Sequence, residues 1–213
     1  MTLSEEVGFI PVEGAEARIE LVDWYGKPAI RKYRIPKPYR LEQLDRLLRS
    51  KRTKEEVEIL YASKIAGANC PMVYFADPET SEIIMEYVQG PLLKNVSNNR
   101  KSFFLQVGRF AALLHSKGII HGDLTTKNII VPAEKPFLID FGLSFVSDRI
   151  EDRAEDLHLL KQALKSTEPL KKAKLEFEAA LKGYGEIAGG KLTKSIRQQI
   201  AKIELRGRYA QVD

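Results

Sequence analysis

Three oxygen-bearing side chains near the middle of the chain have the types and spacing for chemistry on a phosphate group. Asp123 and Asn128 stand five residues apart, and Asp140 follows twelve residues later. A carboxylate such as Asp123 can accept a hydrogen bond from an attacking hydroxyl group or water. The oxygens of Asn128 and Asp140 suit hard cations such as Mg²⁺. The set therefore predicts magnesium-assisted phosphoryl transfer in which Asp123 orients the nucleophile.

The sequence around these residues has the spacing of a protein-kinase catalytic loop. His121 to Asn128 fits H-x-D-x-x-x-x-N, and Asp140 opens D-F-G. Apolar runs at 129–131 and 137–139 flank a turn between the two motifs. A single aspartate is more often a helix or turn cap, so the interpretation depends on the three residues occurring together at these offsets.

Composition is typical of a soluble globular protein. The chain has 213 residues, of which 44% are hydrophobic and 30% charged. No run of about eighteen apolar residues is present, so we expect no membrane span and no membrane partner. The first residues, MTLSEEVGF, lack the basic and apolar regions of a signal peptide. Cys70 is the single cysteine, which favours a buried structural thiol and a reducing, cytoplasmic location.

The elements that must position these residues change character near residue 88. The pattern predicts an α+β, compact, two-lobed protein-kinase-like fold with a strand-rich ATP-binding lobe (1–88) and a reduced helical lobe (89–213). Strands are predicted at 7–12, 17–23, 28–35, 72–76 and 82–88, and helices at 41–66, 100–117, 152–166, 168–183 and 192–204. Thr53 with Glu56 forms a capping box, which predicts that a second helix starts within 41–66, and Gly67 ends it.

The third predicted strand supplies the residue for the α- and β-phosphates of ATP. We choose Lys32, although Arg31 and Arg34 compete for the role. Strand alternation places Lys32 and Arg34 on one face and Arg31 on the other. Glu56 is the preferred ion-pair partner for the lysine among the acids of the following helix, which also include Glu55 and Glu58.

The strand ending in Met85, Glu86 and Val88 predicts a hinge between lobes. Met85 would wall the back of the adenine pocket, and the carbonyl of Glu86 and the amide of Val88 would bind the base. Gly14 and Ala15 occupy the position of the loop over the phosphates. This loop is degenerate, because no G-x-G-x-x-G is present.

The chain resembles the small atypical kinases of the KEOPS complex, also called the PRPK family. The resemblance covers nearly the whole chain and rests on G-A-E-A (14–17), R-K-Y-R-I-P-K-P-Y-R (31–40), L-D (44–45), R-T-K-E-E (52–56), H-G-D-L-T-T-K-N (121–128), I-D-F-G-L-S (139–144), E-D-R-A-E-D-L (151–157) and R-G-R-Y (206–209). The basic segment after the third strand and the terminal R-G-R are its more specific parts, because ordinary kinases lack them.

The resemblance implies ATP and Mg²⁺ as cofactors. It assigns Lys32 as the ATP lysine and Glu56 as its helix partner. Asp123 becomes the base, and Asn128 and Asp140 the metal ligands. It further implies a Ser/Thr protein kinase and ATPase within KEOPS, which makes threonylcarbamoyl-adenosine in tRNA. Its expected partners are the threonylcarbamoyl-transferase subunit, other KEOPS subunits and tRNA.

The chain also departs from ordinary protein kinases at three motifs, and these departures agree with the resemblance to an atypical kinase. Gly122 replaces the arginine of H-R-D, which removes the pocket for a phosphorylated activation loop. Thr125 replaces the catalytic-loop lysine, with Lys127 as a candidate substitute. No A-P-E follows the D-F-G. The resemblance thus implies a constitutively arranged kinase without the activation-loop switch.

The basic residues are unevenly distributed, although the chain carries a net charge of only +5. Residues 27–54 hold eleven Lys and Arg against two acids, and the last helix and tail add Lys191, Lys194, Arg197, Lys202, Arg206 and Arg208. This basic stripe predicts binding to an RNA backbone or an acidic protein face. The R-G-R-Y segment is predicted to follow the last helix as a tail that binds tRNA.

Two other functions remain open at this point. One is a nucleotide-sensing scaffold that recruits tRNA without useful phosphoryl transfer, which the intact set of Lys32, Asp123, Asn128 and Asp140 argues against. The other is a small-molecule phosphotransferase of the aminoglycoside-kinase type, which shares the H-G-D loop. Those enzymes carry a larger C-terminal part for their acceptor, which disfavours this alternative.

Overall fold

The computed structural model of the chain describes residues 12–14, 16–132 and 135–209, which form an α+β structure. These residues group into two compact units. The first contains the described residues through Ala62 together with Pro71–Val88, and the second contains Ser63–Cys70 and the described residues after Val88. Residues 63–70, expected in the N-terminal lobe, thus group with the second unit. Cys70 is fully buried, as predicted.

The first unit contains an antiparallel five-stranded sheet. Its strands are β1 (Val12–Glu13), β2 (Ala17–Trp24), β3 (Lys27–Arg34), β4 (Val73–Asp77) and β5 (Glu82–Glu86), in the order β1-β2-β3-β5-β4. Tyr25 and Gly26, both with positive φ, make the tight turn between β2 and β3. All predicted strands of this unit are present except the first, most of which (7–11) lies outside the described residues.

One continuous helix, α1 (Glu42–Ile65), occupies the region where two helices were expected. The predicted capping box is wrong, because Thr53 lies in mid-helix. Its hydroxyl donates a 2.8 Å hydrogen bond to the carbonyl of Arg49, one turn earlier. The Glu56 carboxylate binds side chains of β3 instead of a helix N-terminus. Gly67, with a φ of +90°, follows the end of the helix as predicted.

Residues 42–56 of α1 bury polar side chains and expose two leucines. Asp45, Thr53 and Glu56 are each at most 3% exposed, whereas Leu44 and Leu47 are 49% and 64% exposed. The fully buried positions of this stretch are therefore polar rather than apolar.

The second unit is mainly helical. Its helices are α2 (Arg100–Ser116), α3 (Ile150–Thr167), α4 (Leu170–Ala188) and α5 (Gly190–Tyr209). Two short antiparallel pairs accompany them, β6 (Ile119–Ile120) with β9 (Phe145–Val146) and β7 (Ile129–Ile130) with β8 (Phe137–Leu138). The β7–β8 pair holds the two chemical motifs next to each other, because it joins the end of the catalytic loop to the start of D-F-G.

Helices α2 and α4 approach closely through two glycines. A Cβ atom at Gly108 would lie 1.8 Å from the carbonyl oxygen of Ala180, and one at Gly183 would lie 1.8 Å from that of Leu105. Phe104 and Tyr184 are fully buried beside this contact. No side chain larger than hydrogen fits at either glycine without moving a helix.

The last helix is longer than predicted. α5 continues through Tyr209, so the R-G-R-Y segment is its last turn and the prediction of a tail after the helix is wrong for residues 206–209. Arg206 binds Glu151 at 2.6 Å on the surface. The side chains of 207–209 and residues 210–213 lie outside the described part. Among the described residues, no helix is long and apolar enough to cross a membrane.

Candidate active site

A buried triad of charged side chains lies between β3 and α1 in the first unit. Nζ of Lys32 is 2.6 Å from Oε1 of Glu56, and Nη2 of Arg34 is 2.6 Å from Oε2. Lys32 is 7% exposed, Glu56 is 2% exposed and Arg34 is 5% exposed. The structure thus brings Lys32 and Glu56 together as sequence reasoning expected. It also shows Arg34 as a partner of the same carboxylate, a role that sequence reasoning missed.

The competing residues are directed elsewhere. Arg31 lies on the opposite face of β3, where its Nε is 2.8 Å from Glu82. The hydrogen bond that Arg31 donates to the Glu82 carboxylate raises the pKa of Arg31 above its usual value. Glu55 and Glu58 are exposed on α1. Of the candidates compared in the described chain, Lys32 and Glu56 are therefore the ones that form a buried ion pair with each other.

The predicted nucleotide-binding backbone is partly described. The amide of Gly14 donates a 2.9 Å hydrogen bond to the carbonyl of Ala17 in the β1–β2 turn, whereas Ala15 lies outside the described residues. Met85 is buried in β5. The amide of Glu86 donates to the carbonyl of Met72 at 2.8 Å. The amide of Val88 donates to no protein acceptor in the described part of the chain, which leaves it available to a ligand.

Asp123 and Asn128 contact each other within the catalytic loop. Nδ2 of Asn128 donates to the Asp123 carbonyl at 2.9 Å and to Oδ2 of its carboxylate at 2.7 Å. These two bonds use both amide hydrogens, so Oδ1 of Asn128 is the atom that can bind a cation. Leu124, fully buried, anchors the loop between the two residues.

Asp140 adopts a backbone conformation that is uncommon for residues other than glycine. Its φ is +61°, and its side chain is exposed. Such a conformation costs on the order of 1–3 kcal/mol and occurs often at active sites. Phe141, 1% exposed, fixes the turn by packing 4.7 Å from the His121 ring. The carbonyl of Asn128 accepts a 2.9 Å bond from the amide of Ile139, which ties this turn to the loop.

The donor set of the second unit fits Mg²⁺. Asn128 and Asp140 offer an amide oxygen and a carboxylate, both hard ligands. Among the described residues, no three His, Cys, Asp or Glu side chains are placed to hold a metal ion by themselves. The pair therefore suits an ion that shares its coordination with phosphate and water, as Mg²⁺ does in phosphoryl transfer.

The side chain of Asp156 on α3 holds the backbone of the catalytic loop in place. Its buried carboxylate accepts bonds from the amides of His121 at 2.7 Å and Gly122 at 2.8 Å, and lies 3.2 Å from Nε2 of His115. Burial acts to raise its pKa, but its hydrogen bonds and electrostatic interactions with His115 and His121 together outweigh burial, so the pKa lies below its usual value. The sequence analysis assigned no role to Asp156. The residue stood out there only as part of the family segment 151–157.

Gly122 is required by close backbone packing. Its φ is +80°, and a Cβ atom there would lie 2.2 Å from the carbonyl oxygen of Leu143. An arginine at this position would need the D-F-G segment to move. The departure from H-R-D is therefore built into the backbone geometry of the second unit.

His121 is buried and neutral. Its Nδ1 accepts a 3.3 Å hydrogen bond from the amide of Asp123, which places the ring proton on Nε2. Burial lowers its pKa, and the charges of Asp156, Asp140 and Asp123 only partly oppose this effect. A neutral imidazole can keep accepting that bond, so His121 helps to orient the backbone of Asp123.

Comparison with known proteins places these features in a family. A model of the RIO domain matches residues 30–159. KEOPS complex subunit Bud32 of Pyrococcus abyssi is 43% identical over 92% of this chain and 94% of that protein. A probable serine/threonine-protein kinase BUD32 homolog of Archaeoglobus fulgidus is 36% identical over 93% of this chain and 95% of that protein.

Longer relatives and solved structures add to this result. A probable bifunctional tRNA threonylcarbamoyladenosine biosynthesis protein of Methanothermobacter thermautotrophicus is 39% identical over 94% of this chain, which spans 36% of that protein. The Rio2 kinase of Chaetomium thermophilum, solved with ADP/Mg²⁺-phosphoaspartate, has a TM-score of 0.65 and 17% identity over 95% of this chain and 71% of that one. The predicted α+β kinase-like fold is thereby confirmed, and the chain belongs to the RIO-domain family of KEOPS complex subunit Bud32.

Proposed function

We propose that the chain is an ATP-dependent Ser/Thr protein kinase and ATPase that acts within a KEOPS complex and supports threonylcarbamoyl-adenosine formation in tRNA. The observation that carries this proposal is the Asp123–Asn128 contact, followed by Asp140 in its positive-φ turn. The buried Lys32–Glu56 pair supports it independently. The names of the relatives support the setting in KEOPS and tRNA modification.

The residues divide the work of phosphoryl transfer. Lys32 binds the α- and β-phosphates of ATP, and Glu56 holds its ammonium group in place. In Asp123, Oδ2 is occupied by Asn128, so Oδ1 accepts the hydrogen bond from a serine or threonine hydroxyl or from water. Oδ1 of Asn128 and the carboxylate of Asp140 would hold Mg²⁺, which would neutralise charge on the phosphates.

The residues assigned to the adenine base and to the loop over the phosphates complete the proposed nucleotide site. Met85 packs behind adenine, and the carbonyl of Glu86 and amide of Val88 bind its edge. Gly14 covers the phosphates, and Ala15, the other loop residue predicted from the sequence, lies outside the described residues. At Glu86 and Val88 backbone groups bind the base, so side-chain substitutions there should change ATP turnover less than those at Lys32.

The exposed leucines of the first unit support a protein partner. Leu41, Leu44 and Leu47, here called the α1 leucine surface, are 79%, 49% and 64% exposed. Arg46 and Lys51 are also exposed on this helix, and each lies 3.7 Å from an acidic side chain of the same unit. An apolar patch with a rim of mixed charge suits a partner surface that is apolar with charged edges. We assign it to another KEOPS subunit, such as the threonylcarbamoyl-transferase subunit.

The basic stripe offers less free charge to tRNA than its sequence count indicates. Lys32 and Arg34 are buried with Glu56, and Arg49 is 2.6 Å from Asp45. On α5, Lys191, Lys194 and Lys202 are exposed. The tRNA contact is therefore proposed for the last helix, its terminal R-G-R and the exposed remainder of the stripe, Lys27 and Lys54 among them.

One reconstitution tests the proposal. The full chain, wild type or Asp123→Asn, is assembled with the other KEOPS subunits, and tRNA modification is measured with ATP turnover. We expect both rates to fall with Asp123→Asn. Loss of turnover with full tRNA modification would instead support the scaffold alternative.

A co-purification experiment tests the α1 leucine surface separately. Leu44→Glu combined with Leu47→Glu should abolish binding to a KEOPS subunit while the chain stays folded, because both side chains are solvent-exposed. Leu175→Glu, at a position on α4 that is 60% exposed, is the matched control. Equal binding of the KEOPS subunit by wild type, the double leucine variant and Leu175→Glu would contradict the assignment.

A further inference from the structure

Helix α1 carries Glu56 at the boundary between a polar and an apolar buried stretch. Between residues 42 and 56 its buried side chains are Asp45, Thr53 and Glu56, whereas Ile59 and Leu60 are buried one turn later. Apolar packing therefore holds the helix after Glu56. The carboxylate of Glu56 is oriented by the ion pairs that it makes with β3.

Arg34 makes one of these ion pairs and reaches α1 at two points. Its Nη2 is 2.6 Å from Oε2 of Glu56 and 3.4 Å from the carbonyl of Arg52, one turn earlier. Its own amide donates a 3.1 Å bond to the carbonyl of Ser81. The side chain thus links the last residue of the central strand β3 to two successive turns of the helix.

Arg34 and Lys32 contact different oxygens of the Glu56 carboxylate. Nζ of Lys32 lies 2.6 Å from Oε1, and Nη2 of Arg34 lies 2.6 Å from Oε2. Because both oxygens are held from β3, the carboxylate cannot rotate without breaking one of these contacts. Removing one partner of a buried ion pair is costly, so Arg34 contributes through the carboxylate that it holds in place.

We propose that Arg34 is a built-in latch, a positioning residue that fixes Glu56 in the orientation that presents Lys32 to ATP. The inference rests on the proposed function. In protein kinases the Lys–Glu pair must be formed for activity, and activation-loop phosphorylation controls it. Here Gly122 leaves no space for an arginine that would respond to such a phosphate. Arg34 supplies the same positioning permanently and from within the first unit.

A double-mutant cycle tests whether Arg34 acts through Glu56. ATP hydrolysis by the full chain is measured for wild type, Arg34→Met, Glu56→Gln and the double variant. Arg34→Met should lower kcat/KM about tenfold in the wild-type background and less than about twofold beside Glu56→Gln. Arg34→Lys, which keeps the charge, should recover part of the loss. Arg31→Met, on the opposite face of β3, is the matched control.

Two results of this cycle would overturn the latch. One is an equal loss in both backgrounds, which would mean that Arg34 acts independently of Glu56. The other is an Arg34→Met variant that hydrolyses ATP as well as Arg31→Met does. If Arg34→Met does not fold, the same cycle is run with Arg34→Lys, where an activity equal to wild type would overturn the proposal.

Amide hydrogen exchange separates failure of the latch from failure of the proposed function. Without nucleotide, residues 53–60 should exchange faster in Arg34→Met than in Arg31→Met, while α4 stays as protected as in wild type. This readout does not need catalysis. If wild type hydrolyses no ATP, the proposed function fails, and equal exchange in the two variants would still overturn the latch.

Discussion

At the scale of single residues, Asp140 is the proposed metal ligand whose removal is easiest to detect. Asp140→Asn keeps the shape of the side chain but removes its charge, so Mg²⁺-dependent binding of ATP should weaken by several kcal/mol. Calorimetry with and without Mg²⁺ measures this difference. Asp148→Asn, whose side chain is 94% exposed, is the control. Equal Mg²⁺ dependence in both variants would contradict the assignment.

Lys32 and Arg31 are adjacent in sequence, but substituting them should affect ATP turnover differently. Lys32→Met removes the phosphate ligand and leaves Glu56 buried with Arg34, so ATP turnover should fall by about 100-fold or more. Arg31→Met breaks a partly exposed pair with Glu82 and should stay within about twofold of wild type. Steady-state hydrolysis compares the two. A reversed order would show that the phosphate lysine is misassigned.

Buried histidines make stability depend on pH. Burial lowers the pKa of His121 and of His158, so the folded chain binds fewer protons than the unfolded chain. Their contribution is complete above about pH 6.5 and is lost as pH falls, by up to about 1.4 kcal/mol per histidine and pH unit. His121→Gln should therefore lose less stability than wild type between pH 7.5 and 5.5 in denaturant titrations. Identical pH slopes would contradict this account.

Motif residues were predictable because their spacing is fixed by local chain geometry. Asp123, Asn128 and Asp140 lie within one loop and the strand pair that follows it. Arg34 and Asp156 were not predictable in this way, because their partners are distant in sequence. Arg34 contacts a residue 22 positions away, and Asp156 contacts residues 34 and 35 positions away. Such contacts leave no periodic signal in one sequence.

At the scale of elements, the α2–α4 contact is the most sensitive packing. Gly108→Ala would push a methyl group into the backbone of Ala180, so helix separation or distortion should cost about 1–3 kcal/mol or more. Thermal unfolding measures the effect. Gly190→Ala, where a Cβ atom meets nothing within 4 Å, should change the melting temperature little. Similar melting temperatures for both variants would contradict the close packing.

Element positions followed from periodicity and breakers, but element boundaries and faces did not. The R-G-R-Y segment was predicted to follow the last helix as a tail, yet α5 continues through Tyr209. Thr53 resembled a cap, yet its hydroxyl bonds within one continuous helix. The leucines of α1 have core spacing, but ion pairs with the sheet turn the polar face inward. In each case tertiary contacts overrode a local preference.

At the scale of the whole molecule, the chain combines a kinase-like site with positioning by fixed contacts. Gly122 excludes the usual arginine, Asp156 holds the loop backbone, and Arg34 shares the Glu56 carboxylate. These features favour constant activity that is set by partners and substrate rather than by phosphorylation of the chain. The composition and the resemblance indicated this class of protein, whereas the contacts that replace the switch required the structure.

The most direct test of the central claim is phosphate release from ATP by the full chain, with wild type and Asp123→Asn compared at saturating Mg²⁺. Because Asn128 holds one oxygen of Asp123, the substitution keeps the loop geometry and removes the proton acceptor. We predict that kcat falls by about 100-fold or more while ATP still binds. Equal phosphate release by the two proteins would contradict the assignment of Asp123 and, with it, the proposed phosphotransferase.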